Sequence, residues 1–311
     1  MIELNQVTKL YGDVIGVNDL KIELESGAYG LVGPNGSGKT TLINLLTGQL
    51  RPTLGEVRVF GEDPWKNRRL LRRIGLCPAT DVLYPNVSAR QWVTYLVSLY
   101  GFDATECEDL AVESLDSVGM KSRMDRPMGE YSLGMRQRAK IAQAIAHRPD
   151  ILILDEPYNG LDPVGRQQMS ELLSDWVDAG KCLVFASHVL HEIESITSSF
   201  LLIFGGRLLA SGTSDELEEF VTEAPQEVTV VGVGLAPLVA VLAEQPWVEA
   251  VQLDGRDKRL RLALRDPSAF YEMLPHWIEK YSLHIEQLQA SKSNLSAIFE
   301  SLLRYHRGDL A

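Results

Sequence analysis

Apolar residues fall in short runs bounded by glycine and proline along most of the chain, and in helical spacing over one central stretch. From residue 1 to about 61, β-type runs at 7–10, 28–32 and 56–60 alternate with turn residues and one helical run, 39–47, which reads as the opening of an α/β sheet. From about 86 to 146 the spacing turns helical, with runs at 88–100, 106–118 and from Ser132 to just before Pro149. This predicts a helical insertion. Strand runs at 151–154, 182–186 and 200–204, with helices starting at Pro163 and Val189, predict that the sheet resumes and is largely parallel. The first domain is expected to close near Phe220.

A segment rich in Glu, Thr and Pro, about 218–226, reads as a linker, its core at 221–226. The remainder, 227–311, predicts strand 227–233, helix 235–244, strand 248–253, a turn at Asp254-Gly255, strand 258–264, helix 267–281 and strand 284–289. That order, βαββαβ, is the ferredoxin-like split βαβ arrangement, and Asp-Gly is the hairpin signal expected between its second and third strands. A last amphipathic helix over 294–306 places Leu295, Ile298, Phe299, Leu302 and Leu303 on one face, expected to pack on the neighbouring domain, with docking of a partner as the alternative. The predicted fold is therefore α/β with a small C-terminal α+β domain.

Composition narrows the function. The 311 residues are 45% hydrophobic and 23% charged, the balance of a globular protein with room for two cores. A formal net charge of −12 argues against broad binding to nucleic acid, whose affinity comes mainly from Lys and Arg meeting phosphates. Cys77, Cys107 and Cys182 lie far apart without a CxxC, so no disulfide framework is expected. No apolar run approaches the roughly 18 residues that cross a bilayer. Work at a membrane would need a partner that spans it.

The residues with the clearest chemistry are Gly33, Pro34, Asn35, Gly36, Ser37, Gly38, Lys39 and Thr40. They match GxxxxGK[ST] between an apolar strand and a helix, the context that makes it a P-loop. Glycines let successive N–H groups face phosphate oxygens, and the helix N-terminus adds a favourable dipole. Lys39 would reach the β- and γ-phosphates, and the Thr40 hydroxyl would bind Mg²⁺. A second signal is the apolar strand 151–154 followed by Asp155 and Glu156. Asp155 would hold Mg²⁺ through water, and Glu156 stands where a general base polarises the water attacking the γ-phosphate.

Further motifs carry a family resemblance. Tyr131-Ser132-Leu133-Gly134-Met135-Arg136-Gln137-Arg138 resembles the ABC signature, Leu161-Asp162 the D-loop and Ser187-His188 the switch histidine, in family order and spacing. About 220 residues thus resemble the ATP-binding subunit of an ABC transporter. The resemblance implies Tyr11 stacking on adenine, the P-loop through Thr41 holding ATP, and Ser132 with Gly134 receiving the γ-phosphate of ATP held by a second subunit. It implies that His188 contacts that phosphate and orients the attacking water, and that Asp162 signals between sites. Two chains, a homodimer in the simplest case, would sandwich two ATP molecules.

The implied partner is an integral-membrane permease on a separate chain, of the export type, with this subunit at the cytoplasmic face of the membrane and residues 79–93 receiving the permease. The rivals are a subunit that binds ATP without hydrolysing it, and a soluble ABC protein outside transport. The sequence departs from the family at Ala79, where a glutamine usually touches Mg²⁺ and lines the permease contact. Alanine can do neither, so Mg²⁺ capture or coupling is expected to weaken unless a neighbour such as Asp81 substitutes. Tyr131, Leu133 and Met135 also replace the commoner Leu, Gly and Gln, and Tyr158 a frequent Thr.

Overall fold

A computed structural model describes residues 1–80, 84–220, 225–254 and 259–290. The chain divides into two compact units, Met1–Thr213 and Ser214–Ala311. The first contains β1 (Ile2–Tyr11), β2 (Val14–Leu24), β3 (Gly27–Val32), α1 (Lys39–Leu46), β4 (Leu54–Val59), α2 (Arg68–Leu71) and β5 (Ile74–Cys77). It continues with α3 (Ala89–Ser98), α4 (Ala104–Ser117), α5 (Leu133–Ile145), β6 (Ile151–Asp155), α6 (Pro163–Asp178), β7 (Cys182–Ser187), α7 (Leu190–Glu194), β8 (Ser199–Phe204) and β9 (Arg207–Thr213).

Six strands form one sheet in the order β5-β6-β7-β3-β8-β9, parallel except for β9, which runs antiparallel along the edge against β8. β6 and β7 are buried along their whole length, which explains why they read as unbroken apolar runs. The N-terminal strands are arranged differently from the expectation. Residues 7–10 and 56–60 do not open this sheet; with β2 they make a separate antiparallel sheet, β2-β1-β4. Its strand β2 escaped the reading although Leu20, Ile22 and Leu24 alternate in period two and are all buried. The inner faces of the two sheets and α1 close on one core that includes Ile2, Leu20, Leu31, Leu45, Ile153 and Val184.

The central helices start where their sequences cap them. Ser88 accepts from the Gln91 amide while the Gln91 side chain accepts from the Ser88 amide, and Asp103 and Glu106 repeat the reciprocal pair before α4. α5 is tied to the free edge of β5 by side chains along one stripe. Gln143 Nε2 donates to the Leu76 carbonyl at 2.6 Å, and His147, just past the helix, donates from Nε2 to the Ile74 carbonyl at 3.1 Å. The His147 ring stacks on Tyr100 with centroids 4.0 Å apart, and its Nδ1 is buried without a partner.

Burial, helped by the Lys181 charge and opposed by the Ile74 hydrogen bond, pushes the His147 imidazole down to about 4. The folded pKa lies below the unfolded value, so the unfolded chain binds the extra proton between the two. This part of the stability is complete above about pH 6.5 and is lost as pH falls toward 4. Between pH 7 and 4.5, the wild-type chain is expected to lose about 2 kcal/mol more unfolding free energy than His147→Gln, measured by urea denaturation. Equal losses would show that His147 titrates alike in both states.

The second unit contains α8 (Ser214–Phe220), β10 (Gln226–Val233), α9 (Ala236–Ala243), β11 (Val248–Asp254), β12 (Arg259–Leu264), α10 (Pro267–Tyr281) and β13 (His284–Ala290). Its four strands lie in the order β11-β12-β10-β13, with β10 antiparallel to both neighbours, the sheet order of a split βαβ fold. Val228, Val230, Leu260, Leu262, Phe270 and Trp277 fill its core. α8 groups with this unit, so the division falls at Thr213 and not at the 220 read from composition, and β10 begins at Gln226, inside the stretch read as linker. The helix expected over 294–306 lies outside the described residues.

Candidate functional site

β3 is the centre of the parallel sheet, paired with β7 on one side and β8 on the other, and it delivers residues 33–38 to the sheet's carboxyl edge. This is where open α/β sheets hold ligands. The loop turns back on itself through a hydrogen bond from the Ser37 amide to the Pro34 carbonyl, 3.1 Å, and enters α1 at Gly38, whose φ is 110°. A side chain at Gly38 would stand 2.6 Å from the Gly16 carbonyl, and one at Gly33 2.3 Å from the Ile203 carbonyl. Glycine is therefore required at both ends of the loop for the backbone to pass.

The loop's own groups fit a polyphosphate. Lys39 Nζ is buried and donates to the Gly33 carbonyl at 2.6 Å, so its ammonium already sits over the loop. Burial lowers its pKa, and the charges of Glu156 and Asp155 pull it back up. The Ser37 hydroxyl is buried without a partner, an unsatisfied group inside the cradle. Thr40 Oγ1 donates to Asp155 Oδ2 at 3.2 Å, which joins α1 to the end of β6. Burial raises the Asp155 carboxyl and the Thr40 hydrogen bond opposes the rise. Two hard oxygen donors side by side suit Mg²⁺.

Glu156 follows β6 with φ 52°, a left-handed backbone that costs a residue with a Cβ of order 1 kcal/mol. Its amide donates to the Ala186 carbonyl at 2.9 Å, so the turn is anchored to β7, and its side chain is aimed at the end of that strand. His188 Nδ1 lies 2.9 Å from both Glu156 oxygens, and the His188 amide donates to Oε1 at 3.1 Å. An ionised carboxylate only accepts, so Nδ1 carries the proton. Behind them, Ser187 Oγ lies 2.8 Å from Glu192 Oε2 and 3.4 Å from Glu156 Oε2, and Arg166 pairs with Glu192 at 3.0 Å.

Tyr11 comes to the same end of α1, its hydroxyl 3.4 Å from Thr41 Oγ1. Gly16 makes the room, since a Cβ there would meet the Tyr11 ring at 2.7 Å. Ser132, Gly134 and Asp162 form a second cluster. Ser132 is exposed and caps α5 by accepting from the Met135 amide at 3.3 Å. A Cβ on Gly134 would lie 2.8 Å from the Gly160 carbonyl, and Asp162 caps α6 through the Gly165 amide at 2.8 Å. None of these contacts reaches residues 33–38.

Several residues of the site were given no role from the sequence, Gln137 among them although it stands in the signature motif. Gln137 Nε2 reaches the Glu156 carbonyl at 3.5 Å and Cys77 Sγ at 3.7 Å, while Glu192 and Arg166 back the Glu156–Ser187 pair. The available signal was a polar residue at a buried helical position: Gln137 lies in α5 among Ala139, Ile141 and Ala142.

A family model described as ABC transporter matches residues 17–159. The bacitracin transport ATP-binding protein of Bacillus licheniformis is 37% identical over 222 residues, 70% of this chain and 72% of that protein. A Nod factor export ATP-binding protein of Cupriavidus metallidurans is 32% identical over 271 residues, 86% of this chain and 88% of that one. Among solved structures, an ATP-binding subunit of an ABC transporter matches with a TM-score of 0.65 at 25% identity, over 71% of this chain and 92% of that chain. A dimeric bacterial ABC transporter cassette gives 0.64 at 24%, over 68% and 98%, a likeness of fold.

Proposed function

Since this chain belongs to the ABC transporter family and is one of its ATP-binding subunits, we propose that two copies hydrolyse ATP at shared sites and drive an export permease carried on another chain. The observation that carries the reading is the division of the motifs into two clusters. Residues 33–41, Asp155, Glu156 and His188 converge, whereas Ser132 and Gly134 stand exposed or packed on Gly160, at a helix N-terminus suited to an anion. A second copy turned about a two-fold axis supplies each P-loop with the missing half.

In this reading the amides of the loop and Lys39 hold the phosphates, and Tyr11 stacks on the adenine. Thr40 and Asp155 would hold Mg²⁺, which when bound offsets phosphate charge. The Glu156 carboxylate takes the proton of the attacking water, and His188 fixes that carboxylate in place. Asp162 opens α6, whose Arg166 touches Glu192, so the helix facing the second copy is linked to the base.

Among the described residues no helix is long and apolar enough to cross a membrane, so the permease supplies the span. A cleft of about 690 Å³ lined by Leu71, Leu76, Pro78, Tyr84, Trp92 and Tyr95 is the docking groove in this proposal, at the cytoplasmic face. Tyr84, Val87, Gln91 and Trp92 of its lining belong to the stretch from 79 to 93 that the resemblance pointed to. The Nod factor export ATP-binding protein among the relatives supports export as the direction of transport.

The test is steady-state ATP hydrolysis by the purified full chain with Mg²⁺ over a range of protein concentrations. Turnover per chain is expected to rise with concentration and then level off as dimers form. Turnover per chain independent of concentration down to the detection limit would overturn the shared site. ATP bound with no turnover would favour the regulatory reading.

A further inference from the structure

β5 is the edge strand of the parallel sheet, and its outward carbonyls need donors from elsewhere. Those donors come from one stripe of α5 and its extension, residues 140, 143 and 147, spaced three and four apart. His147 meets Ile74, Gln143 meets Leu76, and the series continues past the end of the strand, where Lys140 meets Pro78. At this last step the donor is an ammonium, only 5% exposed. It reaches three successive carbonyl oxygens: Pro78 at 2.9 Å, Ala79 at 3.3 Å and Thr80 at 3.4 Å.

A buried charge is expensive and persists where its donors are matched. The side chains of Pro78 and Ala79 carry no polar atom, so α5 holds this segment through its main-chain carbonyls. Pro78 and Lys140 also both line the 690 Å³ cleft. Lys140 lies on the helix that Ser132 caps, two turns from that cap, and Gln137, one turn nearer, touches the Glu156 carbonyl.

We propose that Lys140 is the positioning residue of the cleft's edge at Pro78: its ammonium fastens residues 78–80 to α5, so that this edge of the cleft and the phosphate-facing end of α5 move as one piece. The anchoring half stands on these contacts alone; the coupling half rests on the reading of this chain as a dimeric ATPase. In this arrangement the linkage that a side chain at position 79 would give is supplied from the helix side.

The test uses the full-length chain, with Lys140→Met, which keeps the stem and removes the charge and donors, and Lys140→Arg, which keeps both. Hydrogen exchange followed by mass spectrometry is expected to show the amides of Ala79 and Thr80 exchanging about tenfold faster in Lys140→Met, with Ile151–Asp155 unchanged and Lys140→Arg close to wild type. Unchanged exchange at 79–80, or acceleration spread over the whole unit, would overturn the anchor. In the same proteins kcat is expected to fall about fivefold in Lys140→Met with KM for ATP within about twofold, and to recover in Lys140→Arg. Faster exchange with kcat untouched would overturn the coupling. An inactive wild-type chain would fault the ATPase reading and leave the exchange result to decide the anchor. If Lys140→Met does not fold, Lys140→Gln takes its place, with the same outcomes expected at reduced size.

Discussion

Replacing Glu156 with Gln is expected to lower ATP turnover by about a thousandfold while leaving ATP binding within a few-fold of wild type, since general-base assistance contributes roughly 10² to 10⁴ in rate. The amide keeps the shape of the side chain and accepts from the His188 amide, which donates to Glu156 Oε1 at 3.1 Å. It cannot take a proton from water. The backbone at Glu156, with φ 52°, is set by the anchor to Ala186 and does not depend on the side-chain charge, so the turn survives the change. Single-turnover hydrolysis with labelled ATP, next to equilibrium binding of the nucleotide, separates the two effects. Because binding persists and opening does not follow, the variant is also expected to accumulate as an ATP-bound dimer in size-exclusion chromatography. Turnover within tenfold of wild type would remove Glu156 as the base.

Lys39→Ala acts at the earlier step. The ammonium is buried and donates to the Gly33 carbonyl at 2.6 Å, poised where a polyphosphate would lie. A charge-assisted hydrogen bond contributes about 1.5 to 3 kcal/mol, so losing contact with two phosphates is expected to weaken ATP binding by about 10² to 10⁴-fold, visible by calorimetry. The two variants thus differ in kind: one binds without turning over, the other fails to bind. Tight ATP binding by Lys39→Ala would count against the P-loop as the nucleotide site. The carbonyl of Gly33 loses its partner in the same variant, so a melting curve alongside the binding measurement distinguishes a damaged loop from a lost contact.

The departure at Ala79 looks different once the structure is in view. The residues at 78–80 are held by main-chain carbonyls on Lys140, a contact made by backbone atoms and therefore indifferent to which side chain stands at 79. The chain has kept a link between the cleft and α5 by a route that leaves no trace at the position itself. Similarly, Leu133, which replaces a glycine of the family's signature, lies over Gly160, where a Cβ would meet Leu133 Cγ at 2.4 Å. Gly160 gives the larger side chain its space.

By itself the sequence determined the elements and the chemistry that are local. The P-loop is a contiguous string whose glycines, lysine and threonine state their purpose by spacing, and buried strands such as Ile151–Asp155 declare themselves as apolar runs because both faces are covered. The caps at Ser88, Asp103 and Asp162 are short-range hydrogen bonds, written within four residues of chain. The second unit's order of helices and strands was legible for the same reason.

Tertiary structure decided everything that depends on distant residues meeting. Which sheet residues 7–10 and 56–60 join was hidden, because a strand's pattern tells which face it buries and not its neighbour. That Gly16 clears space for Tyr11, that Gln137 reaches the Glu156 carbonyl, and that Lys140 grips the carbonyls of residues 78–80 were equally hidden. Each is a contact between segments at least five residues and as many as 62 apart in sequence, and what makes it specific, a donor finding its acceptor for Gln137 and Lys140 and the room left by a missing Cβ at Gly16, exists only after the core has closed.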